Sequence, residues 1–313
     1  MRKFIIDTDT GSDDAVALAM GLMDETIDLL GITTVSGNCE LTQATKNALM
    51  VVQYSGKQVP VYKGCRLPLL RSERVDAVSV HGIDGMGDLD LIHPEQTHEK
   101  QHAVDFIIEM VAQYPDEVEI AIIGPATNIA LAIMKEPDIM KRVKHFYIMG
   151  TSGFALGNAS TMAEFNVYAD AESYVPLLRS NVPKTIIGFD ICLENAFKAS
   201  DIKQLRKKSS LGKFLMDCNH TVLQYNLERS GEEVLDLPDA VALGVALWEE
   251  EIVLESKMVY AECCYKDDNT YGLVILNDPQ DILAVNHKYP ANNAEVITKI
   301  NGDKLNKKII ALM

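Results

Sequence analysis

A chain of 313 residues, 47% of them apolar, is long enough for one large domain or two and can bury a sizeable core. Its net charge of −16 argues against a protein that holds nucleic acid or an anionic membrane through its general field, and no apolar stretch approaches the roughly 18–20 residues of a membrane span. The chain enters a strand-like run at once, with no basic segment and long apolar core ahead of it, so a soluble cytoplasmic protein is expected.

Phe4-Ile5-Ile6 reads as a strand, Asp7-Thr8-Asp9-Thr10-Gly11-Ser12-Asp13-Asp14 as the turn after it, and Ala15-Val16-Ala17-Leu18-Ala19-Met20 as the start of an amphipathic helix. Four carboxylates therefore crowd one turn. A helix N-terminus favours a negative charge by only about 0.3–1 kcal/mol, so a cap at Ser12 or Asp13 with the other acids in solvent accounts for part of the cluster and not for its density. Two further readings account for more of it. One is a set of oxygen ligands for a hard divalent cation. The other is the phosphatase pattern Asp-x-Asp-x-Thr, in which the first Asp attacks phosphorus and which Asp7, Asp9 and Gly11 approach.

Residues 27–35 are too continuously apolar for a half-exposed strand and suit a parallel strand covered on both faces, closed by Ser36-Gly37-Asn38. Helical spacing over 41–54 and a short strand at 59–62 complete a β-α-β-α-β opening, which predicts right-handed crossovers and functional loops at the carboxyl ends of the strands. From 63 to 99 the pattern lapses around His81-Gly82-Ile83-Asp84-Gly85-Met86-Gly87-Asp88, and so long a stretch inside a domain reads as a functional loop or lid. His81 is then either a hydrogen-bonded surface residue or an acid beside a site.

A helix over 102–114 and a strand over 118–123 follow, ending in Gly124-Pro125-Ala126-Thr127-Asn128, where Thr127 or Asn128 can cap the next helix. The strand 145–150 leads into a loop in which Asn158, Glu164, Asn166 and Asp170 mix donors with acceptors. Surface loops have that mixture, and so does a site for a polyhydroxylated ligand. A strand over 184–188 and helices over 199–206 and 212–228 precede Leu237-Pro238-Asp239, a further helix start. Asp239 serves either that helix end or, as a distant carboxylate, a metal site. Apolar runs at 257–262, 272–276 and 281–285 predict edge strands before a C-terminal helix. Cysteines 39, 65, 192, 218, 263 and 264 show no Cys-x-x-Cys pair and are expected as buried thiols, with Cys39 near whatever the Ser36-Gly37-Asn38 turn binds. With no internal repeat, low-complexity tract or linker, the expectation is one α/β domain over 1–313.

Asp7-Thr8-Asp9-Thr10-Gly11-Ser12-Asp13-Asp14-Ala15 resembles the signature of the inosine-uridine-preferring nucleoside hydrolase family, in which a proline often occupies the position of Thr10. Val35-Ser36-Gly37-Asn38, Gly124-Pro125-Ala126-Thr127-Asn128-Ile129-Ala130, Met149-Gly150, Gly157-Asn158 with Ala163-Glu164-Phe165-Asn166, and Pro238-Asp239 follow in the family's order and approximate spacing, from residue 4 to about residue 250. The resemblance implies an open, mostly parallel, Rossmann-like sheet flanked by helices. It also implies a bound Ca2+ and hydrolysis of the N-glycosidic bond of ribonucleosides, as in nucleoside catabolism and purine or pyrimidine salvage.

Carried over by position, Asp9, Asp14, the main-chain carbonyl of Thr127 and Asp239 would hold the ion. Asp13, Asn38, Asn158, Glu164, Asn166 and Asp239 would hold the ribose hydroxyls, and Asp7 would support the signature. Asp9 would be the general base on a calcium-bound water that attacks C1′ with inversion. The oxocarbenium-like charge that develops would be favoured by the carboxylates and amides around it. Related enzymes are commonly dimers or tetramers, so a homo-oligomer is expected. Several members carry a histidine immediately before the last calcium-binding aspartate, where this chain has Pro238, which has no proton to give. His81 resembles the loop histidine of some pyrimidine-preferring bacterial members and is the candidate leaving-group acid, with Tyr225 the second choice. Two rivals remain. A non-catalytic nucleoside- or ribose-binding protein fits Pro238, whereas a magnesium-dependent phosphatase finds only a faint second motif in Ile187-Gly188-Phe189-Asp190 and leaves the Asn158 to Asn166 loop unexplained.

Overall fold

In the first strand, β1 (Arg2–Thr8), Phe4 and Ile6 enter one apolar cluster and Ile5 enters another, so both faces of the sheet are covered from the outset. The same alternation recurs in β4 (Val118–Ile122) and β5 (His145–Met149), where Ile120, Ile122, Phe146 and Ile148 pack on one side and Ala121, Tyr147 and Met149 on the other. In this computed structural model, residues 1–278 and 290–313 are described, and the run expected as a strand at 281–285 lies outside them.

The opening unit is β1, α1 (Ser12–Met23), β2 (Ile27–Thr34), α2 (Leu41–Ser55) and β3 (Val61–Lys63). The segment after it carries only the single turn α3 (Val78–His81) before α4 (Ala103–Gln113), β4, α5 (Thr127–Lys135), α6 (Pro137–Met140) and β5. A long loop then leads to α7 (Phe165–Ala169), α8 (Ala171–Arg179), β6 (Lys184–Ile187) and α9 (Phe189–Glu194). Next come β7 (Phe197–Lys198), α10 (Ala199–Lys208), α11 (Ser210–Cys218), α12 (His220–Ser230), β8 (Val234–Leu235) and α13 (Pro238–Ile252). The chain finishes with β9 (Val253–Cys263), β10 (Val274–Asn277), β11 (Ala294–Ile300) and α14 (Gly302–Leu312).

Among the described residues nine strands form one sheet in the order β10-β9-β11-β6-β5-β4-β1-β2-β3, and β7 pairs with β8 in a separate antiparallel ribbon. The sheet is parallel from β3 through β11, then antiparallel at β9 and β10. The fold is thus the open, mostly parallel α/β sheet expected. Its order from β3 to β6 is 3-2-1-4-5-6, with a switch of direction at β1, and ligands of such sheets bind outside the carboxyl ends of the strands at that switch. The acid-rich turn emerges there.

Two expectations change. The strand expected over 257–262 is not an edge but lies between β10 and β11, and β11 itself was not anticipated. The expected helix over 212–228 is broken at Asn219 into α11 and α12. No helix among the described residues is long and apolar enough to cross a membrane.

Candidate active site

The end of β1 threads its acids between backbone segments that leave almost no room. Asn38 donates its main-chain N–H to Asp9 Oδ2 at 2.6 Å, and Gly37 and Gly124 pack directly on the Asp9 side chain. A Cβ on Gly37 would lie 2.0 Å from Asp9 Oδ2, so only glycine fits there. Asp14 accepts from Thr8 Oγ1 at 2.5 Å, from the Gly11 N–H at 2.8 Å and from Asn38 Nδ2 at 2.9 Å. Asp7 turns the opposite way, accepting from Thr33 Oγ1 and from Asn128 Nδ2, which also bonds the Thr34 carbonyl. Asn128 is therefore a tie between strand ends. Thr127 is the first residue of α5, and its hydroxyl donates to Asp170 Oδ2 at 2.5 Å.

These acids are strongly perturbed. Burial first, and the Asp14 charge second, push Asp9 well above the ordinary carboxylate range, and burial with the charges of Asp13 and Asp14 does the same to Asp239. Asp7 is pushed up to about 7 by burial, against its hydrogen bonds from Asn128 and Thr33. Asp7 Oδ2, Asp9 Oδ1 and Asp13 Oδ1 are buried without a hydrogen-bond partner. Among the described residues no Lys or Arg pairs with Asp7, Asp9, Asp13, Asp14 or Asp239. Asp13, Asp14 and Asp239 can each bring one carboxylate oxygen within 4.8 Å of the others. Buried anions without a side-chain cation, all oxygen donors, fit a divalent metal ion.

Above the cluster is a cavity of about 590 Å³. Asp13, Asn38, Asn158, Glu164, Asn166 and Asp239 all line it, so every residue expected at the sugar comes together, whereas Asp7, Asp9, Asp14 and Thr127 lie outside the lining. The polar side chains are held from behind. Asn158 Oδ1 accepts from the Phe165 N–H, Glu164 caps α7 by accepting from the Asn166 and Val167 N–H groups, and Asn166 Nδ2 donates to the Ile123 carbonyl at the end of β4. Burial raises the Glu164 pKa to about 7 despite those bonds. His81 also lines the cavity, 8% exposed, with Nδ1 at 2.9 Å from Ser12 Oγ and 3.7 Å from Asp13 Oδ1. Burial lowers its pKa against the pull of Asp13.

Met149, Gly157, Phe165 and Pro238 of the quoted motifs also line the cavity, but one part of the wall was not anticipated. Phe189 and Leu193 from α9, Val222, Asn226 and Arg229 from α12, and Asp236 join the already noted Tyr225. The spacing 222, 225, 226, 229 is a helical stripe that could have been read from the sequence. All six cysteines are free thiols, five buried and Cys264 half-buried. Cys39 lies behind the turn, its Sγ at 3.9 Å from the Thr10 carbonyl, and not in the cavity lining.

The model of the family described as inosine-uridine preferring nucleoside hydrolase matches residues 4–307. The chain is 34% identical over 262 residues to probable uridine nucleosidase 1 of Oryza sativa subsp. japonica, covering 83% of this chain and 81% of that one. It is 31% identical over 279 residues to the pyrimidine-specific ribonucleoside hydrolase RihB of Escherichia coli, covering 88% of each. Among solved structures, the purine-preferring ribonucleoside hydrolase from Gardnerella vaginalis matches with a TM-score of 0.90 at 27% identity, over 99% of this chain and 98% of that one. A sheet of this order, an acid cluster at its switch point and likeness along nearly the whole chain agree: the protein belongs to the inosine-uridine preferring nucleoside hydrolase family and is a hydrolase of nucleosides.

Proposed function

We propose that the protein hydrolyses the N-glycosidic bond of ribonucleosides to free base and ribose in a calcium-dependent reaction. It would work as one domain over residues 1–313, as a homo-oligomer of two or four copies, in cytoplasmic nucleoside salvage. The observation that carries this reading is the cavity itself, whose polar lining of Asp13, Asn38, Asn158, Glu164, Asn166 and Asp239 adjoins a buried carboxylate cluster with no Lys or Arg partner among the described residues. A mixture of carboxylate acceptors and side-chain amides matches hydroxyls that both give and accept hydrogen bonds.

Asp9, Asp14, the main-chain carbonyl of Thr127 and Asp239 would hold the ion, which when bound supplies an oriented water of lowered pKa. Asp9 accepts the proton of the water that attacks C1′, and its Oδ1, free of any hydrogen bond, has the lone pair for it. Asp13, Glu164 and Asp239 oppose the positive charge that builds on the ribose as the base departs. His81 donates the proton to the base, oriented by Ser12 through Nδ1. Since the nucleophile is water held beside a carboxylate, the anomeric centre inverts.

A reducing-sugar assay across uridine, cytidine, inosine and adenosine, with calcium supplied, tests this directly. Ribose release from at least one is expected, and Asp9→Asn is expected to lower kcat by about 10²–10⁴-fold while ribose still binds. His81→Ala should slow every substrate that the parent cleaves; equal activity would remove His81 as the acid. No release from any of the four would support a non-catalytic nucleoside- or ribose-binding protein, the reading that Pro238 favours. Phosphate release from nucleotides with magnesium would support the phosphatase.

A further inference from the structure

The α12 helix presents Val222, Tyr225, Asn226 and Arg229 to the cavity, a spacing of i, i+3, i+4 and i+7 that puts all four on one face. Its beginning is tied to the acid cluster, because Asn219 Nδ2 donates to the Ser12 carbonyl at 2.7 Å. At 1.5 Å per residue, the stripe from Val222 to Arg229 runs about 10 Å away from that end. Along it the surface changes from a buried valine, through an aromatic ring, to an exposed guanidinium.

Asp236, half-buried between β8 and α13, completes this wall. Asn226 Nδ2 donates to Asp236 Oδ2 at 3.1 Å, and the Arg229 charge acts on the same carboxylate. The cavity thus has two polar groups of residues. The first belongs to the acids and amides already described, and the second is Asn226, Arg229 and Asp236, with Phe189, Leu193, Val222 and Tyr225 supplying apolar surface in the same lining. A nucleoside has the same make-up: a hydroxylated sugar, a flat ring with apolar faces, and an edge that pairs an N–H or NH₂ donor with a carbonyl or ring-nitrogen acceptor.

We propose that Asp236 and Arg229, with Asn226 holding Asp236 in place, recognise the hydrogen-bonding edge of the base, an inference that rests on the ribonucleoside reading above. The carboxylate accepts from the base N–H or NH₂, and the guanidinium donates to the neighbouring acceptor. A site built around such groups discriminates strongly against a ligand that leaves them unpaired. Asp236 is in this sense a specificity residue and takes no part in bond cleavage.

The test compares ribonucleosides with 4-nitrophenyl β-D-ribofuranoside, whose leaving group has a flat ring and no N–H donor. Asp236→Ala is expected to lower kcat/KM for uridine, cytidine, inosine or adenosine at least about tenfold, and to leave kcat/KM for the nitrophenyl riboside within about twofold. Asp236→Asn keeps the size of the side chain and an oxygen for Asn226. It should match the parent on the nitrophenyl riboside while changing the rank order of the four nucleosides. Equal losses on both classes of substrate, or unchanged nucleoside rates in both variants, would overturn the proposal. If the parent cleaves no nucleoside, the hydrolytic reading fails separately, and calorimetry decides the recognition. The parent should then bind the nucleosides more tightly than ribose and Asp236→Ala should erase that margin, whereas an unchanged margin would overturn the assignment.

Discussion

A methyl group on Gly37 would meet the Asp9 carboxylate at 2.0 Å, and Gly124 closes the other side with the Asp9 main-chain nitrogen at 2.8 Å from its own Cβ position. Asp9 has no slack in which to move. Gly37→Ala is accordingly expected to cut kcat by about 10²-fold, the effect of misplacing a reacting group by about 1 Å, with a much smaller change in melting temperature. Far from the cavity, Glu119 is 2% exposed and accepts hydrogen bonds from Arg2 and Lys144. Burial would raise its pKa, but those bonds hold it below the ordinary value. A depressed folded pKa stabilises the fold above the unfolded value and is lost on acidification, so Glu119→Ala should cost about 2 kcal/mol at neutral pH and progressively less below pH about 4 in urea titrations. Lys184 shows the opposite sign. It is 3% exposed, donates to the Ser180 and Asn293 carbonyls, and burial lowers its pKa to about 8 from 10.5. The unfolded chain then holds a proton that the folded one has shed, so the contribution of Lys184 to stability improves as pH rises from about 8 to about 10.5. The difference in melting temperature between the parent and Lys184→Met should change in the parent's favour across that window.

Elements with a strong period were legible in the sequence, and those set by tertiary contacts were not. The continuous apolar runs of β1, β2, β4 and β5 announced a sheet covered on both faces, and Pro238 at the first turn of α13 marked its start. β11 was missed because Glu295, Thr298 and Lys299 interrupt its apolar residues, and its pairing with β6 depends on a partner over a hundred residues away. The break at Asn219 was missed because that side chain bonds the Ser12 carbonyl and the Leu215 carbonyl, contacts that no local pattern shows. The residues expected at the sugar, which line one cavity, were legible through motifs, while the second polar group came from α12 and the β8–α13 loop, where a helical spacing was the only signal. The loop 151–158 gives one test at this scale. Asp190 Oδ2 accepts from the Phe154 N–H at 2.9 Å, Gly153 packs on the same carboxylate, and Thr151 holds a φ of 85°. Asp190 therefore fixes the segment that brings Leu156 and Asn158 to the cavity, and Asp190→Ala is expected to raise KM severalfold with little change in kcat, an effect that Asp190→Asn should partly restore.

At the scale of the whole molecule, the switch of strand order at β1 concentrates negative charge where the sheet opens, within a chain that already carries −16. Folding without a cation must then bury that repulsion or relieve it by taking up protons, at a cost in either case. Calcium is expected to raise the unfolding free energy by about 2.7 kcal/mol at a hundredfold excess over Kd, and EGTA to reverse it. A calorimetric scan of Asp14→Ala, with and without the ion, should show no such shift. The position of β11 has a different consequence, for the order of events during synthesis. β1 to β6 are contiguous in the sheet and can pair as the ribosome delivers them, but β6 has an open edge until residue 294 and beyond have emerged to fill the place between it and β9. An unfilled parallel edge is a template for wrong partners. Residues 294–313 thus act as a late-arriving seal, and a chain terminated near residue 290 would have β1 to β6 paired and the β6 edge open to aggregation.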